Sequence, residues 1–183
     1  GFINKSIVAR LQSLQCNATG ICGVDGNSIL AHKRIRTGTD YGFAGDIDIV
    51  NTEWLRNLLN QDLAIIVAPI THDGKGQLLN TNADSIAQEI AKAMSKLFSV
   101  QLIYSFEKAG VLLDVDDENS AIHSINPAYY RELKESKKIF AGMIPKMDNA
   151  FAAISQGVNK VIIGKGENLE NLLNGKSGTI ICQ

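Results

Sequence analysis

No apolar run in this chain approaches the roughly 20 residues that a membrane-spanning helix requires. The opening stretch, GFINKSIVARLQ, has no basic start followed by an apolar block, so it does not read as a signal peptide. Neither sign of charge is in excess. A net charge of −1 leaves no footprint for nucleic acid and no polybasic patch for a membrane surface. Cysteine is scarce: Cys16, Cys22 and Cys182 are scattered, form no C-x-x-C and have no histidine beside them. That argues against a metal site and for small buried thiols in a reducing cytosol. His32, His72 and His123 share no ligand spacing and read as non-catalytic, although His72 lies in a loop that matters below. Neither G-x-x-x-x-G-K-[ST] nor G-x-S-x-G occurs, and there is no internal repeat or low-complexity linker.

What is present is a chain of 183 residues, 45% hydrophobic, enough for a single domain over 1–183 with a real core. Phe2, Ile3, Ile7, Val8, Leu11 and Leu14 recur at helical spacing. ATGICGVDGN reads as a strand ending in a Gly-rich loop, and residues 32–51 as a β-hairpin excursion. NTEWLRNLLNQ predicts a helix capped by Asn51 or Thr52, with Trp54, Leu55, Leu58 and Leu59 inward. LAIIVAPI predicts a strand buried on both faces. A helix over 84–97 follows, with Ile86, Ile90, Ala93, Met94 and Leu97 on one face, and then a strand, VQLIYSF. NPAYYRELKES predicts a helix with Pro127 near its start, and MIPKMDNAFAAISQG a helix ending at Gly157. NKVIIG and GTIIC are strands around a short helix. Alternating helices and uninterrupted apolar strands predict an α/β fold, a three-layer αβα sandwich with a largely parallel central sheet. In such folds ligands bind beyond the carboxyl ends of the strands.

One stretch stands at such a place, and a second marks a helix start. In LLNTNAD, Asn80, Asn82 and Asp84 alternate where a strand gives way to a helix, and Ser85 with Gln88 fits a capping box that would start the helix there. In FAGMIPKMDNA, Lys146 lies in a first helical turn, where the helix dipole disfavours a cation. An anion held at that end would account for it. A third stretch, YSFEKAGVLLD, places a charged pair and a glycine at a strand end.

Together LLNTNAD and GMIPKMDNAFAAISQGV resemble the acetylglutamate kinase family, within the amino-acid kinase superfamily. INKSIVARLQ, GVDGN, DYGFAGD and SGTII extend the resemblance over nearly the whole chain, and APITHDGKGQLLNTNAD with FEKAGVL look most like its Bacteroidetes-type branch. The resemblance implies ATP-dependent phosphorylation of the side-chain carboxylate of N-acetyl- or N-succinyl-L-glutamate in arginine biosynthesis, in the cytoplasm. Alternatives are a kinase for aspartate, glutamate or carbamate, or an inactive nucleotide-binding regulatory subunit.

By the same resemblance, Lys146 stabilises the transferring phosphoryl group and Asp84 orients the catalytic lysines. Asn80 binds the substrate α-carboxylate, with Asn82 nearby. Glu107, Lys108, Gly110, Val111 and Leu112 border the adenine and ribose, and Lys138, Ile139 and Phe140 form the other wall. Mg2+ is expected to arrive on the ATP phosphates rather than in a protein metal site. A homodimer through the first helix is expected, with no nucleic-acid or membrane partner. Glu107 stands where many relatives have Asp, and Ala141 replaces the first glycine of G-G-M-I-P-K. The resemblance aligns Gly1 with the start of the family's third helix, so a preceding segment carrying a second lysine, Gly-rich loops and an arginine is expected.

Overall fold

In this computed structural model, residues 1–139 and 141–182 are described. They form two units, one of Gly1–Ile90 and one beginning at Ala91. The first opens with α1 (Phe2–Ser13) and β1 (Ala18–Cys22). Of the apolar residues predicted for α1, Val8 and Leu11 are half-buried, whereas Phe2 is 86% exposed and Ile3 73%. The buried residue of the helix is polar. The Asn4 side-chain amide donates to Ile66 O at 2.8 Å and to Ile21 O at 3.5 Å, while Lys5 Nζ donates to Gly20 O at 2.6 Å. A side chain at Gly20 would collide with Asn4, so the glycine lets the helix lie close on the strand.

The hairpin predicted for residues 32–51 is present as β2 (Ile29–Arg36) and β3 (Thr39–Val50), paired antiparallel with two irregularities in register. Asn51 caps α2 (Thr52–Leu59), its Oδ1 accepting the Trp54 N–H at 3.1 Å. Leu55 of that helix is buried, whereas Leu59 is 42% exposed. The apolar run gives β4 (Ala64–Ala68), parallel to β1 in a two-stranded sheet. Each of its residues is only half-buried, because among the described residues β1 is its sole ladder partner. Pro69 interrupts the run, and β5 (Ile70–His72) and β6 (Leu78–Asn80) follow as a second hairpin. The two hairpins close on each other as a barrel in the order β2-β3-β6-β5, with parallel contacts at Leu30–His72 and Ala44–Asn80.

Next comes α3 (Ala83–Met94), which starts in the first unit and ends in the second. Ile86 and Met94 are buried, but the helix stops before Leu97, which is 45% exposed. The second unit is built on β7 (Gln101–Phe106), β8 (Ser124–Ile125), α4 (Pro127–Glu135), α5 (Ile144–Ser155), β9 (Lys160–Lys165), α6 (Leu169–Leu173) and β10 (Thr179–Ile181). Its sheet runs β7-β9-β10-β8. The β7–β9 and β8–β10 pairs are parallel and β9–β10 is antiparallel.

Val161, Ile162 and Ile163 of β9 are fully buried, as are Met147, Ala150 and Ala153 of α5 and Leu172 of α6. Each of the large side chains contributes about 1.5–3 kcal/mol by leaving water. The two alanines give α5 a flat face against the strand. Asn126 caps α4 with Pro127 in its first turn, and Gly157, at φ +102°, follows the end of α5. The α/β class with parallel strand pairs is therefore what the chain adopts. The barrel of paired hairpins is the part that the alternation of elements did not indicate.

Candidate active site

The three polar side chains of LLNTNAD do not share one strand face. They occupy three successive local structures. Leu79 is 1% exposed and points inward from β6, so Asn80 faces out, paired through its backbone with Ile70 and Ala44. Asn80 lines a cleft of about 540 Å³ in the first unit, together with Phe2, Ile3 and Ile7 of α1 and the β4–β5 stretch Ile66–Ile70. Asn82 is the helix cap: its Oδ1 accepts the Ser85 N–H at 3.1 Å, and its carbonyl accepts the Ile86 N–H at 3.0 Å. The predicted capping box at Ser85 and Gln88 is thus displaced by three residues, with Ser85 inside the first turn. Asp84, half-buried, sits in that turn, where the helix dipole favours a carboxylate.

Thr81, between the two asparagines, was not singled out by the sequence. It is 3% exposed, and its hydroxyl lies 2.8 Å from that of fully buried Thr71 and donates to Gly45 O at 3.3 Å. Its backbone N–H reaches Pro69 O at 3.1 Å. These bonds stitch the barrel rim and fix the turn that presents Asn80 and Asn82.

In the second unit, Lys146 is the third residue of α5, after Pro145. Met143 at the N-cap offers no side-chain hydrogen bond, and the first turn holds no acid among the described residues. The positive end of the helix dipole and a lysine therefore stand together. Lys146 Nζ lies 5.6 Å from the Tyr104 ring centroid and 5.9 Å from that of Phe106, within cation–π range of both. Further along α5, Asp148 Oδ1 accepts from the Tyr130 hydroxyl at 2.7 Å and lies 3.4 Å from Lys134 Nζ. Burial, and then the Asp148 carboxylate, push the Tyr130 phenol upward, so it stays protonated as a donor.

Beyond the carboxyl end of β7, Phe106, Glu107, Lys108, Gly110, Val111, Leu112, Val115 and Met143 line a cleft of about 160 Å³. All five residues predicted for the adenine and ribose border are in that set. Of the other predicted wall, Lys138 is exposed and Ile139 buried just after α4, neither lining this cleft, and Phe140 lies outside the described residues. Met143 lines it as well. Phe106 both lines the cleft and faces Lys146, and Met143 both lines it and precedes α5. A flat apolar group in the cleft would thus have a helix N-terminus and a lysine next to it, the arrangement that suits a base joined to phosphates. Among the described residues no group of three or more His, Cys, Asp and Glu could hold a metal ion, and no helix is long and apolar enough to cross a membrane.

Residues 1–165 match the amino acid kinase family. The acetylglutamate kinase of Cytophaga hutchinsonii is 51% identical over 95% of this chain and 66% of its own length, and that of Phocaeicola vulgatus 48% identical over 99% and 69%. A crystal structure of a Streptococcus mutans UA159 protein superposes with a TM-score of 0.76 at 26% identity, over 98% of this chain and 66% of that one. The chain spans about two thirds of the length of these relatives. By its sequence, the chain belongs to the amino acid kinase family, among the acetylglutamate kinases.

Proposed function

We propose that the full-length protein transfers the γ-phosphoryl group of ATP to the side-chain carboxylate of an N-acylated L-glutamate, as a step of arginine biosynthesis in the cytoplasm. The observation that supports this most is the sharing of Phe106 and Met143 between the β7 cleft and the α5 N-terminus. The kinase names of relatives near 50% identity point the same way.

The chemistry asks little of acid–base groups. A glutamate side chain has a pKa of about 4.3 and is already ionised near neutral pH, so the nucleophile needs no general base. What it needs is alignment with the γ-phosphorus and neutralisation of the charge spread over the phosphoryl oxygens. In our reading Lys146 and the positive end of α5 supply the second, with Lys146 worth about 3–4 kcal/mol of transition-state stabilisation. Asp84 provides the negative charge that keeps lysine ammonium groups oriented. Asn80 holds the substrate α-carboxylate, and Asn82 assists from the same turn while capping α3. Glu107, Lys108, Gly110, Val111 and Leu112 receive adenine and ribose, and Lys138, Ile139 and Phe140 border them. Mg2+, held by the phosphates, neutralises part of their charge.

We also read residues 1–183 as one kinase domain, since the family match runs through both units. The chain would dimerise through α1, whose Phe2, Ile3, Ile7 and Leu14 are exposed. The test is a coupled ADP-release assay on the full-length protein with N-acetyl-, N-succinyl- and unacylated L-glutamate. ADP release that depends on one of the acylated substrates supports the reading. Release that is greatest with free glutamate, or none at all, refutes it.

A further inference from the structure

The cleft beyond β7 is bounded by an excursion that leaves at Glu107 and returns at Ile122. On its outer side it is tied by bonds open to water: Ala109 N–H to Glu118 Oε2 at 3.1 Å, and Lys108 Nζ to Glu118 at 3.4 Å. Exposed contacts of this kind hold a loop weakly. On its inner side a single side chain from another part of the chain joins both arms. Thr179, at the start of β10, is 0% exposed. Its Oγ1 accepts the Val111 N–H at 2.8 Å and donates to Ile122 O at 2.6 Å. The two arms also meet directly, Ile122 N–H to Val111 O at 2.9 Å.

The same hydroxyl explains the glycine of the loop. A Cβ on Gly110 would stand 2.6 Å from Thr179 Oγ1 and 3.2 Å from Thr179 N. Thr179 itself cannot retreat easily. It is in register with Ile163 on β9, and Gly178 before it, at φ +78°, has Ile163 O 2.8 Å from where a Cβ would be. Gly110, Val111 and Leu112, which line the cleft, are therefore seated on a post fixed in the sheet.

We propose that Thr179 is a positioning residue for nucleotide binding: it does not line the cleft, but its hydroxyl holds Gly110–Leu112 in the shape that receives the base. The inference rests on the nucleotide reading of the cleft. Removing the hydroxyl strands the buried Val111 N–H, which then pairs only if the loop shifts.

The test uses the full-length protein with Thr179→Val, which keeps the shape and removes the hydroxyl, and Thr179→Ser, which keeps the hydroxyl. MgADP affinity is measured by calorimetry, with steady-state kinetics and thermal unfolding alongside. Thr179→Val should weaken MgADP binding and raise the ATP KM by about tenfold. Turnover at saturating ATP and the KM for the acylated glutamate should stay within about twofold. Thr179→Ser should restore MgADP affinity to within about threefold, because the accepting oxygen returns. If Thr179→Val fails to fold, Thr179→Ala, which also removes the hydroxyl but adds no methyl group in its place, should give the same selective loss. Unchanged MgADP affinity in these variants overturns the proposal while leaving the nucleotide cleft standing. So does an equal loss in the Val and Ser variants, which would mark a packing role only. Failure of the unaltered protein to bind MgADP would overturn the proposed function and this inference together.

Discussion

Replacing Lys146 with glutamine should separate catalysis from stability. The lysine sits in the first turn of α5, where a cation costs about 0.3–1 kcal/mol against the helix dipole. Against that cost stand the Tyr104 and Phe106 rings at 5.6 and 5.9 Å. A half-exposed ammonium over aromatic faces gains about 0.5–1 kcal/mol. These two contributions oppose each other, and a half-exposed ammonium gains about 0–1 kcal/mol from a further polar partner, so Lys146→Gln should lower folding stability by no more than about 1–2 kcal/mol, a shift of under about 8 °C in a chain of this length. The transition state has no such cancellation. The missing charge should cost about 3–4 kcal/mol there, lowering turnover about 100- to 1,000-fold, while the ATP KM moves only a few-fold. The assay is ADP release at saturating acylglutamate over a range of ATP, with urea denaturation of the same preparation. Turnover intact at saturating ATP, with only the ATP KM raised, would refute the phosphoryl role. A stability loss of several kcal/mol would show that Lys146 is structural.

Asp84→Asn should abolish most activity, because it removes the charge assigned to orienting the lysines. Near-normal turnover in that variant would leave Asp84 as a first-turn acid worth about 1 kcal/mol or less. Asn82→Ala should cost about 1 kcal/mol of stability through the lost α3 cap, and Asn82→Asp, which retains a capping oxygen, should recover it in a denaturant titration. Unaltered stability in Asn82→Ala would show that the cap bond does not support α3. Ile3→Asp with Ile7→Asp should convert a dimer to a monomer in light scattering at micromolar concentration, without unfolding, since Ile3 and Ile7 are 73% and 43% exposed in the chain alone. A wild-type protein already monomeric under those conditions would remove α1 as an interface.

The parts of the fold that periodicity could reach are those where side-chain pattern and burial coincide. The VIIG run of β9 and the α5 pattern ending at Gly157 became the core of the second unit because they are buried as they read. On α1 the periodicity marked the helix but not what anchors it. An amide, Asn4, anchors the helix by donating to strand carbonyls, and a hydropathy pattern is blind to a bond made 62 residues away. The β4 run read as doubly buried because β-branched residues look alike whether one neighbour strand is present or two. For the site, the cleft-lining loop Glu107–Leu112 was legible through its resemblance to a family motif. Met143 and Phe106, which join that cleft to Lys146, were not, since they are apolar residues with no chemistry to announce. The alternation of Asn80, Asn82 and Asp84 marked the junction of a strand with a helix. A strand end, a cap and a helical turn use three different backbone geometries, so the spacing carried no common direction.

The most direct test of the proposed reaction is to trap its product. A side-chain acyl phosphate reacts with hydroxylamine to give a hydroxamate, whereas hydrolysed ATP does not. Full-length protein would be incubated with MgATP, hydroxylamine and N-acetyl-, N-succinyl- or unacylated L-glutamate, and hydroxamate and ADP quantified by mass spectrometry. The account predicts hydroxamate on the side-chain carboxyl, in step with ADP, from an acylated substrate and little from free glutamate. ADP formed without hydroxamate, or hydroxamate formed chiefly from free glutamate, would contradict it.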